Sequence, residues 1–138
     1  MTRILVADDS ATIRKMVRAS LQALGTSTFA EAASGLEAIE QLALGPIALM
    51  VLDLNMPDMH GLEVLKFLRA HQAFRHVPVI VLTTRGDEPS RAAALAAGAS
   101  LYLTKPFAPQ ALAAHARELL GERCVVAPLN NEGAGDGE

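Results

Sequence analysis

The stretch Ile47-Ala48-Leu49-Met50-Val51-Leu52-Asp53 is an unbroken apolar run that ends on a carboxylate. Its lack of polar alternation predicts a central strand buried on both faces, as in a parallel sheet covered by helices. Core packing gives no reason for an aspartate right after so apolar a segment, so chemistry is the better explanation. Working outward, Arg3-Ile4-Leu5-Val6-Ala7 runs into Asp8 and Asp9 in the same way, and Thr83 and Lys105 end two further short apolar segments. If these segments are neighbouring parallel strands, all of the polar groups gather at one sheet edge, where an open α/β fold places its ligand site.

The rest of the chain alternates strand and helix patterns. Residues 3 to 7 read as a strand, and a helix over 10 to 24 carries Ile13, Met16, Val17, Ser20, Leu21 and Leu24 on one face before Gly25 stops it. A weaker strand is expected over 26 to 30. A helix over 35 to 44 is capped by Ser34, with Glu37 completing a capping box and Gly45-Pro46 ending it. The apolar strand over 47 to 52 leads into a loop rich in turn formers and a helix over 61 to 70. A fourth strand spans 77 to 82, and Asp87 caps the next helix, with Pro89 in its first turn and Gly98 at its end. A short strand over 101 to 103 and a helix over 109 to 120 follow. Five βα units joined by short links imply right-handed crossovers and a five-stranded parallel sheet with flanking helices.

Composition narrows the function. A chain of 138 residues fits one domain, and with 51% apolar residues and no Trp its core must be mainly aliphatic. The net charge of -3, without a basic run at either end, argues against direct nucleic-acid binding. Cys124 is the only cysteine, which excludes an intramolecular disulfide and a thiolate metal cluster. No run is long enough for a membrane span, so no membrane insertion is expected and cytoplasmic localisation is the default.

Asp8, Asp9 and Asp53 form the strongest chemical signal. Three oxygen donors converging at strand ends suit Mg²⁺, which keeps several waters and needs few protein ligands. Without a cation, close carboxylates repel one another and raise their own pKa values. The plainer alternative is that Asp8 and Asp9 only cap the first helix together with Ser10. The placement of Asp53, Thr83 and Lys105 at their own strand ends favours a metal-dependent acceptor of a phosphoryl group.

With these motifs in order, the chain resembles the receiver domain of two-component response regulators, especially the single-domain kind used in chemotaxis. The resemblance covers about residues 3 to 120. It rests on Asp8-Asp9-Ser10, on Leu52-Asp53-Leu54-Asn55-Met56-Pro57 with Gly61, on Leu82-Thr83-Thr84 and on Lys105-Pro106-Phe107. It implies a flavodoxin-like (βα)5 fold with strand order 2-1-3-4-5 and a receiver domain over residues 1 to 121, while the loss of periodicity and the Gly/Glu/Asp-rich ending predict a largely disordered tail over 122 to 138.

The resemblance also assigns roles. Asp53 would be the phosphoacceptor, taking its phosphoryl group from a sensor histidine kinase or histidine phosphotransfer protein. Asp8, Asp9, Asp53 and the backbone carbonyl of Asn55 would hold Mg²⁺. Thr83, the backbone N–H of Thr84 and Lys105 would bind phosphoryl oxygens, with a cis bond expected between Lys105 and Pro106. Thr83 and Tyr102 would form the switch, and Asn55 and Arg85 would tune the phosphoryl lifetime. Thr84 is larger than the residue usual at its position, which would slow approach of a donor or of water.

Output would pass through the fourth helix, fifth strand and fifth helix to a downstream protein such as a flagellar switch component. The alanine-rich stretch over 90 to 97 suits close helix approach there, or simply reflects helix propensity. Arg14, Lys15 and Arg18 would meet the kinase or form a solvated face. Such a domain is not an enzyme with a metabolic substrate, although it would autophosphorylate from small donors and dephosphorylate itself. A phosphorylation-independent scaffold, a Mg²⁺-dependent aspartyl-phosphate hydrolase and a flavin protein of the same topology remain as alternatives. No output domain follows Leu120, which leaves open a domain acting alone or a piece of a longer regulator. The apolar segment over 124 to 129 is expected to pack back, fray or contact a partner.

Overall fold

The computed structural model describes residues 2–25 and 27–125. Its order is β1 (Thr2–Ala7), α1 (Ala11–Leu21), β2 (Ser27–Ala32), α2 (Gly35–Leu44), β3 (Leu49–Leu52), α3 (Gly61–Ala70), β4 (Val79–Thr83), α4 (Glu88–Ala96), β5 (Leu101–Thr104) and α5 (Pro109–Val125). All strand pairings are parallel, in the order β2-β1-β3-β4-β5. The expected flavodoxin-like topology is therefore the one observed.

The central strands explain their own sequences. Leu5, Ala7, Met50, Leu52, Val79 and Val81 face one apolar layer with α2, α3 and α4, while Ile4, Val6, Leu49, Val51, Ile80 and Leu82 face the other with α1 and α5. Period-two geometry thus splits each apolar run between two cores. Each large aliphatic side chain fully buried this way contributes about 1.5–3 kcal/mol relative to exposure. β5 lies at the sheet edge and is only half-buried.

Several boundaries differ from the sequence expectations for identifiable reasons. The first helix ends at Leu21 and tightens into a 3₁₀ turn over Gln22–Leu24, closed by Gly25 at φ +94°. β2 extends to Ala32 because it pairs with β1 along its whole length, whereas Thr26 lies outside the described residues. β4 begins at Val79 rather than 77, since Pro78 has no N–H to give the ladder. It also runs one residue further and includes Thr83, which pairs with Thr104.

Helix caps follow the sequence more closely. The Ser10, Ser34 and Asp87 side chains accept from Ile13, Glu37 and Ser90 N–H groups. Glu37 reaches back to the Ala33 N–H, one residue before the expected partner. α5 does not stop at 120 but continues to Val125, so the backbone over 122 to 125, read as the start of a disordered tail, is helical. A glycine inside an exposed helix costs only about 1 kcal/mol against alanine, so Gly121 need not end it. The remainder of the expected tail, from 126 onward, lies outside the described residues.

Candidate functional site

Three backbone hydrogen bonds carry the sheet past its strand ends and fix the site. The Asp8 N–H donates to the Ala32 carbonyl at 3.0 Å, the Asp53 N–H to Ala7 at 2.9 Å and the Lys105 N–H to Thr83 at 2.8 Å. Asp8 and Asp53 are 3% and 4% exposed and Thr83 is fully buried, while Asp9 is open to solvent. Ser10, not Asp9, caps α1, and Asp8 meets that turn only through the Ser10 N–H, so the capping account leaves Asp9 and the second Asp8 oxygen unexplained.

Lys105 lies between the two buried carboxylates. Its Nζ is 2.7 Å from Asp8 Oδ2 and 3.6 Å from Asp53 Oδ2. Asp8 Oδ1 accepts from the Ser10 N–H at 2.9 Å, and the Asp8 carbonyl accepts from Arg14 Nη1 at 2.7 Å. Both ends of Asp8 are thereby held. The peptide between Lys105 and Pro106 is cis, as expected.

Asp53 is less well satisfied. Its Oδ1 is buried and accepts no hydrogen bond among the described residues. Burial pushes the carboxyl above its ordinary value and the Asp8 carboxylate adds to that, while the Lys105 ammonium and the Asn55 backbone N–H oppose it and Asp9 again raises it. Asp8, Asp9 and Asp53 each offer an oxygen, and these lie within 4.8 Å of one another. Hard oxygen donors around an orphaned buried oxygen fit a small divalent cation such as Mg²⁺.

The other expected residues stand around this centre. Asn55 and Thr84 are exposed in the loops after β3 and β4. Thr83 Oγ1 accepts from the Arg85 N–H at 3.4 Å. Tyr102 is half-buried, and its hydroxyl donates to the Arg85 carbonyl. Arg14 and Arg18 are not simply a solvated face, since they pair with Glu31 at 2.8 and 2.6 Å, whereas Lys15 is exposed.

Sequence reasoning missed one support of the loop after β3, Asp58, and named the other, Gly61, only as part of a motif. Asp58 accepts from the Gly35 and Leu36 N–H groups at 2.9 and 3.1 Å, tying the loop to the start of α2. Gly61 sits so close that a Cβ there would meet the Asp53 carbonyl oxygen and Leu54 Cα at 2.6 Å. Asp58 looks like an ordinary turn former in the sequence, and no local signal separates it from the rest of the loop.

Comparison with known proteins agrees with this geometry. Residues 4–117 match the family model described as the response regulator receiver domain. Chemotaxis protein CheY1 of Helicobacter pylori strain J99 is 39% identical over 120 residues, spanning 86% of this chain and 97% of its own. A chemotaxis protein CheY homolog of Campylobacter jejuni is 38% identical, spanning 86% of this chain and 92% of its own. Among solved structures, chemotaxis response regulator CheY4 of Vibrio cholerae superposes with a TM-score of 0.79 at 33% identity, over 86% of this chain and 98% of that one.

Proposed function

This chain belongs to the family of response regulator receiver domains, and on that premise we propose that it accepts a phosphoryl group on Asp53 with Mg²⁺ and signals through protein contacts. The observation that carries this reading is the Asp53 carboxylate, buried with one unpartnered oxygen, beside Asp8 and Asp9 and 3.6 Å from the Lys105 ammonium. The donor would be a phosphohistidine of a sensor histidine kinase or histidine phosphotransfer protein. An Asp53 oxygen attacks phosphorus and the P–N bond breaks. The bonding pair leaves with the imidazole nitrogen, which then takes a proton from water.

Asp8, Asp9, Asp53 and the Asn55 carbonyl would hold Mg²⁺, whose charge offsets that of the phosphoryl oxygens near the carboxylate. Lys105 exchanges Asp8 for a phosphoryl oxygen, which its flexible stem allows. The Thr83 hydroxyl and the Thr84 N–H take the remaining oxygens. Thr83 thereby leaves the Arg85 N–H, and Tyr102 turns further inward to fill the space. Phosphorylation biases a pre-existing equilibrium rather than creating a new state.

The receiver domain occupies residues 1 to 121, and its output surface is α4, β5 and α5. The chemotaxis names of its relatives suggest a downstream protein such as a flagellar switch component, and partners of that kind would place its work in the cytoplasm. The domain forms phosphoaspartate from small donors and hydrolyses it, with no metabolic substrate. No helix among the described residues is long and apolar enough to cross a membrane.

Intact mass after exposure to acetyl phosphate, with and without Mg²⁺ and beside Asp53→Asn, tests the reading. The expected result is a gain of one phosphoryl group in the wild type, only with Mg²⁺ and never in the variant. No gain under conditions that trap a control phosphoaspartate would leave a phosphorylation-independent scaffold as the better account.

A further inference from the structure

Arg85 touches three separate parts of the molecule. Its N–H donates to Thr83 Oγ1 at 3.4 Å, and its carbonyl accepts from the Tyr102 hydroxyl. Its guanidinium turns to the start of α4, where Nε donates to Ser90 Oγ at 3.1 Å and lies 3.6 Å from Asp87 Oδ1. Ser90 and Asp87 are themselves locked together. Asp87 Oδ2 accepts from the Ser90 N–H at 3.0 Å and from its hydroxyl at 2.8 Å.

We propose that Arg85 is a positioning residue whose guanidinium, held by Ser90 and Asp87, mechanically couples Tyr102 to the first turn of α4. The inference goes beyond phosphoacceptance, because it concerns how the switch and the output helix are joined in this chain. The Arg85 peptide connects Thr83 to Tyr102 through the backbone, which any side chain at that position would allow. The backbone through Gly86 also leads to the Asp87 cap, but only the guanidinium adds a direct side-chain connection to Ser90 and Asp87. An exposed ion pair contributes little to stability, but here it is one arm of a hydrogen-bonded group that includes the helix cap. Its effect is on which parts move together. With the arm in place, a shift of the Tyr102 hydroxyl displaces the Arg85 carbonyl, and the guanidinium carries that displacement to Ser90. Without it, α4 keeps its Asp87 cap but follows Tyr102 less closely, through the backbone at Gly86 alone.

A double-mutant cycle in the unphosphorylated full chain tests the coupling without relying on Asp53 chemistry. Amide spectra of uniformly ¹⁵N-labelled wild type, Tyr102→Phe, Arg85→Ala and the double variant are compared at the Ser90 and Arg91 signals. Tyr102→Phe is expected to displace these signals in the wild-type background and to displace them less than half as far in the Arg85→Ala background. Ser90→Ala removes the Nε acceptor and keeps the capped N–H, so it should reproduce the loss at the Arg91 signal. Arg85→Lys, which retains a donor of similar reach, should restore part of the displacement. Equal displacement in both backgrounds, or none in the wild type, would overturn the proposal. Because no phosphodonor is present, failure here leaves the acetyl phosphate result untouched, and failure there leaves this result untouched.

Discussion

Asp53 carries a conflict that its neighbours only partly relieve. Burial and the Asp8 carboxylate hold its pKa above the ordinary 3.8, against the opposing Lys105 ammonium. The folded protein therefore holds this proton more firmly than the unfolded chain does. Its contribution to stability is full below the unfolded value, falls as pH rises through the folded one, and stays lost at neutral pH. Asp53→Asn, which cannot ionise, is expected to raise the urea unfolding free energy of metal-free protein at pH 7, where the wild-type carboxyl is held ionised against its surroundings. The gap between the two proteins should narrow as pH is lowered toward 4. Unfolding curves that coincide at pH 7 would mean that Lys105 already balances the site. This residue was legible because a carboxylate after an apolar run has so few structural uses. Arg85 was not legible in the same way, since its connections depend on where three non-adjacent groups meet.

At the scale of elements, caps were easy to read and long-range clamps were not. Ser10, Ser34 and Asp87 each cap an N–H three residues ahead, a spacing that sequence displays directly. Arg69, in the last turn of α3, binds much farther along the chain. Its Nε and Nη2 donate to the Gly98 carbonyl at 3.0 and 2.7 Å, and Nη1 donates to the Val77 and Arg75 carbonyls at 2.8 and 3.1 Å. One guanidinium thus ties the end of α3 to the approach to β4 and to the turn after α4. Gly98 has φ +112°, and a Cβ there would meet Arg69 Cγ and Nε at 2.7 Å, so the turn is shaped around this side chain. Arg69→Met keeps the stem but strands the carbonyls, and is expected to cost about 2–3 kcal/mol in urea unfolding. Hydrogen exchange should rise more in α4 and β5 than in β1. A uniform rise, or a cost below about 0.5 kcal/mol, would show that water replaces the guanidinium at those carbonyls.

For the whole molecule, two aliphatic layers share one sheet, so a ligand at the sheet edge should stabilise both together. The alternation that sends Leu52 to one layer and Val51 to the other was visible in the run before Asp53. Strand order came from the resemblance to receivers, because short strands of similar composition do not specify their neighbours. The extension of α5 through Gly121 was hidden by a residue that marks helix ends elsewhere in this chain. If Asp8, Asp9 and Asp53 hold Mg²⁺ only in the folded state, its binding adds directly to the free energy of unfolding. At a tenfold excess over Kd the gain is about 1.4 kcal/mol, on the order of 5 °C in Tm for a domain of this size. Calorimetry of the wild type with added Mg²⁺ should show a single transition moving up by that amount, since layers joined by a common sheet unfold together. Asp53→Asn starts from a higher Tm but gives up an anionic ligand, so its midpoint should move less than half as far. Equal movement in both proteins would put the cation somewhere other than the carboxylate cluster, and a split transition would mean that the two layers are less tightly joined than their shared sheet implies.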